Sequence, residues 1–142
     1  MGRQDGVGRC EHCGHSFGYM LVHNGFNDSA YCYCDACGCT AILNGWERPV
    51  GVTFKLHEPI APSAEPLLQL CACGGRFTGN ASPRCPNCKN PLSAHAAASW
   101  IEAQAPGAKQ GWQWQDSWRG LYCIVIEDRA VYDNWRTDSN AG

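Results

Sequence analysis

Charge is scarce in this chain of 142 residues, with Asp, Glu, Lys and Arg together making 17% of it. No apolar run approaches the roughly 18 residues a membrane-crossing helix needs, so no membrane span is expected. The opening Met1-Gly2-Arg3-Gln4-Asp5-Gly6 has neither the apolar segment nor the small-residue cleavage site of a secretory signal. A cytoplasmic protein with reduced thiols is therefore expected. A basic excess is missing too: the net charge is −2, where a non-specific nucleic-acid binder draws its affinity from phosphate neutralisation. His23, His57 and His95 have no Ser, Cys or carboxylate partner at the spacing of a catalytic motif, and His12 and His15, in and just beyond a cysteine knuckle, read as exposed or as supporting residues around it, so no enzyme is expected.

What the chain has is cysteine, 11 residues in all. Eight fall into four close pairs: Cys10-Glu11-His12-Cys13-Gly14, Cys34-Asp35-Ala36-Cys37-Gly38, Cys71-Ala72-Cys73-Gly74 and Cys85-Pro86-Asn87-Cys88. In a C-x-x-C-G turn the two intervening residues let both sulfurs face one point about 2.3 Å from a zinc ion, and the glycine can take the positive φ that curls the backbone around it. Taken in order along the chain, the pairs predict two tetra-thiolate sites, Cys10, Cys13, Cys34 and Cys37 in the first and Cys71, Cys73, Cys85 and Cys88 in the second. Cys71-x-Cys73 has one residue between its sulfurs and needs a different turn, for which Gly74-Gly75 supplies the freedom. Eight thiolates and two Zn²⁺ ions would bring the net charge to about −6.

Both segments resemble zinc ribbons, the rubredoxin-like class in which two cysteine knuckles on opposing hairpins share one metal. The resemblance covers about residues 10–43 and 71–92 and implies the same eight cysteines as ligands. The whole chain, with its tryptophan-rich ending, is similar to small bacterial zinc-ribbon proteins of unassigned role. Four thiolates in this geometry can also hold iron for electron transfer; zinc is the expected metal, because nothing in the chain suggests a redox partner site.

The expected fold is a small metal-stabilised α+β structure of two zinc ribbons, one helix and a C-terminal β-hairpin. Residues 9–44 form the first ribbon, with strands at 16–22, 31–34 and 39–43 and a tight turn at Asn24-Gly25. Residues 45–66, carrying Pro49, Pro59, Pro62 and Pro66, read as an extended connector with a possible strand at 52–56. Residues 67–92 form the second ribbon. Within 93–137, Ser93 caps a helix whose buried face carries Ala94, Ala97, Ala98, Ile101 and Ala105, Pro106-Gly107 stops it, and Leu121–Ile126 is a strand buried on both faces that returns through Glu127-Asp128-Arg129 to Ala130-Val131-Tyr132.

Three cysteines remain. Cys32 and Cys39 are expected opposite one another across the second knuckle, either as small packed side chains or as a reversible disulfide, and Cys123 in the core. Trp112, Trp114 and Trp118 could stack on bases, anchor a protein partner or cover a scarce core. Arg76, Arg84 and Lys89 give residues 71–92 a positive balance with no acid among them, suited either to nucleic acid or to offsetting thiolate charge. The expected function is a non-enzymatic, two-zinc interaction or adaptor module whose partner is another protein. Nucleic-acid binding through Arg76, Arg84, Lys89, Trp112 and Trp114 is one alternative, and an iron-thiolate or thiol-redox protein the other.

Overall fold

The computed structural model describes residues 3–23, 29–44, 49–54, 58–104, 118 and 122–136, with the backbone alone at 3, 4, 23, 104 and 122. β1 (Arg3–Arg9) and β2 (Ser16–His23) form an antiparallel hairpin closed by the first knuckle, with Arg9 opposite Ser16, and β6 (Tyr122–Ile126) pairs with the far edge of β2. A second hairpin, β3 (Ser29–Cys34) and β4 (Thr40–Asn44), closes on the second knuckle. It is flanked by β5 (Phe77–Thr78), antiparallel to β3, and β7 (Ala130–Tyr132), parallel to β4. The sheets thus run β1-β2-β6 and β5-β3-β4-β7. No described helix is long and apolar enough to cross a membrane.

This small α+β arrangement differs from the expected one at both ends. β2 and β3 do not join with β4 in one three-stranded ribbon; they lie in different sheets. The cause is β1, whose sequence Arg-Gln-Asp-Gly-Val-Gly-Arg holds one large apolar residue and gives no alternation to read, yet occupies one edge of β2 while β6 occupies the other. The Asn24-Gly25 turn lies outside the described residues. The C-terminal hairpin is not formed either. Glu127 and Asp128 both take positive φ and Arg129 N–H closes the turn on Ile126 C=O at 3.0 Å, the geometry of a tight hairpin turn, but β6 joins β2 in the first sheet and β7 continues past the turn into the second, parallel to β4.

The second sheet is the middle layer. Alternate residues of β3 face opposite cores: Tyr31 and Tyr33 pack with Phe17, Leu21, Ile101 and Ile124, whereas Ala30 and Cys32 pack with Leu43, Phe54, Ile60 and Trp135. Leu121–Ile126 meets its expectation of burial on both faces where it is described: Cys123, Ile124, Val125 and Ile126 are all buried. Ile124 ties the layers together, its N–H donating to Tyr33 Oη (3.2 Å) and its C=O accepting the Thr40 hydroxyl (2.8 Å).

α1 (Ala94–Gln104) starts as read: Ser93 Oγ accepts the Ala96 N–H at 3.1 Å, and Ala94, Ala97, Ala98 and Ile101 are buried. Ala105, Pro106 and Gly107 lie outside the described residues. The proline-bearing segment is less extended than expected. Pro62–Leu67 winds into a 3-10 turn that Pro62 opens, Ala64 and Ile60 are buried, and Ile60 N–H donates to Tyr31 C=O (2.9 Å). Residues 52–54 are not strand, and Phe54 stacks on Trp135 with centroids 6.4 Å apart.

Candidate metal centres

Three of the four knuckles share one backbone device. The N–H of the first cysteine donates to the carbonyl five residues on (Cys10 to His15, Cys34 to Cys39, Cys85 to Asn90), and its carbonyl accepts the N–H four residues on (Gly14, Gly38, Lys89). Those fourth residues hold φ of 78°, 78° and 66°. Lys89 does without glycine what the others do with it, so the glycine signal is absent from the last knuckle. The one-residue Cys71–Cys73 turn closes earlier, through Cys71 N–H to Gly75 C=O (2.9 Å) and Gly74 N–H to Cys71 C=O (2.8 Å). In every knuckle, backbone N–H groups point at sulfur, as His12 N–H does at Cys10 Sγ (3.3 Å) and Gly75 N–H at Cys73 Sγ (3.4 Å).

The eight thiols gather into two groups of four, and the grouping differs from the order along the chain. Cys10 and Cys13 join Cys85 and Cys88; Cys34 and Cys37 join Cys71 and Cys73. Four knuckles admit three pairings, and the structure takes the nested one, outer with outer and inner with inner. The sulfurs of Cys10 and Cys88 stand 3.6 Å apart, Cys13 and Cys85 3.7 Å, Cys34 and Cys73 3.5 Å, Cys37 and Cys71 3.6 Å. A zinc ion with four sulfurs at 2.3 Å implies a tetrahedral edge of about 3.8 Å. The sulfurs therefore already stand near the corners such an ion would require, and both groups could hold metal.

Long-range ladders decide this pairing. β5 lies on β3 with Phe77 opposite Cys34, Asp35 N–H donates to Arg76 C=O (2.8 Å), and the Asp35 carboxylate accepts the Arg76 N–H (3.0 Å). Cys71 and Cys73 are thereby laid against the second knuckle. Gly75 sits so close that a Cβ there would come within 2.5 Å of Cys34 Sγ. At the outer centre, Glu11 spans to the helix: its carboxylate accepts Ser93 N–H (2.6 Å) and Ser93 Oγ–H (3.1 Å), while His12 Nε2 stands 2.8 Å from Pro91 C=O. Asn87 Nδ2 donates to Cys13 Sγ (3.6 Å) from the partner knuckle.

Burial divides the thiols of each group. At the outer centre the Asn87 amide pulls the exposed Cys13 thiol down to about 6 and backbone N–H bonding lowers Cys88, whereas burial pushes Cys85 up to about 11. At the inner centre, backbone bonding from Gly75 pulls Cys73 down to about 7, while burial pushes Cys34 up to about 12 and Cys71 up to about 11. Each group thus has a thiol that ionises readily and buried thiols that give up protons only to a cation. Arg129 Nη2 donates to Cys37 C=O (2.7 Å), placing a guanidinium beside the inner group, where its charge opposes the upward shift that burial imposes on Cys39.

The other sequence candidates scatter. Cys32 faces Ala41 in the ladder, not Cys39, because Cys34 N–H pairs with Cys39 C=O and sets the register two residues away from the expected one. Cys32, Cys39 and Cys123 are buried free thiols. His15 and His95 are exposed, and His57 and the side chain of His23 lie outside the described residues. Trp112 and Trp114 also lie outside them, while Trp118 packs against the core and its Nε1–H donates to Leu92 C=O (2.9 Å). Of the three cations, Arg84 donates to Lys89 C=O (2.7 Å) and Asp35 C=O (3.1 Å), and Lys89 Nζ to Pro86 C=O (3.0 Å). Arg76 is exposed. Sequence reading missed Glu11, Asn87 and Arg129; the first two were detectable as polar residues inside knuckles, whereas Arg129, 92 residues from Cys37, had no local signal.

No curated protein and no solved structure matches the chain. A family model matches residues 7–94, a span that holds all eight clustered cysteines, and the chain belongs to that family, described as Domain of unknown function (DUF8255).

Proposed function

We propose that the chain is a non-enzymatic, two-zinc interaction module of a reducing compartment such as the cytoplasm, and that its partner is another protein. One observation carries this reading: each cysteine group brings four sulfurs within 4.8 Å of one another, with two pairs in each group at 3.5 to 3.7 Å, and four thiolates on one ion leave no coordination position for substrate or water. Structural zinc in such sites contributes on the order of 10 kcal/mol to folding at neutral pH, comparable to the whole net stability of a small domain. Protein is favoured over nucleic acid because Arg84 and Lys89 are engaged with backbone carbonyls around the knuckles.

Elemental analysis of the reduced full chain tests the metal: two zinc equivalents in a colourless protein are expected, with chelation collapsing its melting transition. Iron, or a melting curve indifferent to chelator, overturns the assignment. Affinity capture with the metallated protein tests the rest. Retention of a protein partner that chelation releases is expected; retention of nucleic acid in its place shifts the reading to the alternative.

A further inference from the structure

The Cys71–Cys73 knuckle sits at the base of a hairpin whose legs do not pair with each other. Past the turn, 76–78 runs onto β3 through Arg76 C=O and β5, whereas 67–69 runs onto the C-terminal segment: Gln69 N–H donates to Asn134 C=O (2.8 Å) and Arg136 N–H to Leu67 C=O (2.7 Å) around the Leu68–Trp135 bridge. Between the splayed legs lies a hollow of about 740 Å³, lined among others by Leu68, Leu70, Arg76 and Phe77. That volume is in the range of ligand-binding clefts.

Both walls turn backbone polar groups toward this hollow. Cys34, opposite Phe77, gives its N–H to Cys39 and takes the Gly38 N–H on its carbonyl, so both its groups face β4. Antiparallel alternation then turns the N–H and C=O of Phe77 away from β3, on the side of the hollow. On the opposite leg, Leu67 and Gln69 bond outward to 134–136, which leaves the Leu68 carbonyl between them directed the other way. Among the described residues β5 is thus a free sheet edge at the wall of a cleft.

The side chains indicate what fits. Leu70 at the cleft is 65% exposed and neighbouring Leu67 40%. The two carboxylates of the lining are engaged with backbone amides, Asp35 with Arg76 N–H and Glu65 with Gly79 N–H (2.9 Å). The Arg76 guanidinium is exposed and has no hydrogen-bond partner among the described residues.

We propose that the hollow receives an extended acidic peptide segment of a partner protein, which adds a strand to the edge of β5, pairs with Phe77, sets a carboxylate on Arg76 and lays an apolar side chain on Leu70. Strand addition of this kind takes affinity from main-chain bonds and specificity from the flanking side chains. The proposal rests on the interaction-module reading and specifies the partner's chemistry.

The test selects a displayed library of ten-residue peptides on the metal-loaded full chain, then follows a synthetic copy of the best binder. Expected are binders that alternate Asp or Glu with apolar residues, protection of the Phe77 amide from hydrogen exchange on binding, loss of binding when the central peptide amides are N-methylated, and at least tenfold weaker binding by Arg76→Glu. A library without binders, a binder that leaves the Phe77 amide exchanging or ignores Arg76→Glu, or a Phe77 amide already protected in a self-associated form overturns the proposal. Metal content of the same samples separates the two failures. Two equivalents retained without peptide binding overturn the cleft alone, whereas a folded, metal-free sample overturns the module reading; in Arg76→Glu, retained metal shows that the variant is folded.

Discussion

A Cβ on Gly38 would lie 2.3 Å from the backbone nitrogen of Arg84, so the knuckle of the inner centre and the segment entering the outer one touch where only a glycine fits. Gly38 also holds φ +78°. Gly38→Ala therefore adds overpacking against backbone, about 1–3 kcal/mol, to a left-handed penalty of about 1–2 kcal/mol. Gly14 has the same φ, but a Cβ there meets nothing nearer than 4.0 Å, so Gly14→Ala carries only the penalty for conformation. Chemical unfolding of the metal-loaded proteins is expected to rank Gly38→Ala below Gly14→Ala by at least 1 kcal/mol. Gly38→Ala is also expected to speed metal transfer from both centres to a competing chelator; equal stabilities would show that the contact relaxes without cost.

The nested pairing makes a counting prediction. Cys10→Ser combined with Cys88→Ser damages one centre twice, so the protein keeps one metal equivalent; Cys10→Ser combined with Cys37→Ser damages both centres and keeps none. A chain paired in sequence order would give the reverse result. Non-additivity within a centre and additivity between centres follow from the same grouping. Metal content of the three single variants and these two doubles, measured after gel filtration in reductant, decides between the pairings.

Much of this architecture is legible locally. A knuckle is a turn, so its cysteines, its positive-φ residue and its sulfur-directed amides are written within six residues, as Cys10–His15 illustrates. The Ser93 cap and the buried run around Ile124 are equally local. Which knuckles share a metal is a different kind of information, carried by the β3–β5 ladder and by the Glu11–Ser93 bridge, 82 residues apart in sequence. β1 illustrates the same limit. Val7 is its single large apolar residue, and its place on β2 is set by backbone pairing with a strand whose own pattern is clear.

Metal uptake should be tightly linked to protons, in a sense fixed by the thiols. A thiolate is the ligand, so protons must leave any cysteine still protonated in the metal-free protein. Near pH 7.5 Cys13, held down to about 6, has largely lost its proton and Cys73, at about 7, mostly so, whereas Cys85, Cys34 and Cys71 retain theirs at about 11, 12 and 11. Where zinc enters an already assembled group, as when one centre is reloaded while the other keeps its ion, fewer than four protons are therefore expected per zinc at neutral pH, rising toward four as pH falls below about 6, with affinity dropping steeply over the same interval. Calorimetric titration in buffers of differing ionisation enthalpy measures this count. A release independent of pH from 7.5 to 5 would contradict the division between exposed and buried thiols.

At the alkaline end the metal-free core thiols take over. Burial pushes Cys123 up to about 12 from an ordinary 9.0, and raises Cys32 and Tyr33 in the same direction. In each case the folded state keeps a proton that the unfolded chain loses, so this contribution to stability is complete below about pH 9 and declines as pH rises toward the folded values. One such thiol gives a slope of about 1.4 kcal/mol per pH unit once the unfolded cysteine is fully ionised. Cys123→Ala should therefore lower stability modestly at pH 7.5, through the lost sulfur contacts, yet flatten the decline between pH 9.5 and 11 by about that slope. Urea unfolding across this range with zinc in excess provides the comparison, and parallel curves for the two proteins would mean that Cys123 sheds its proton inside the folded core.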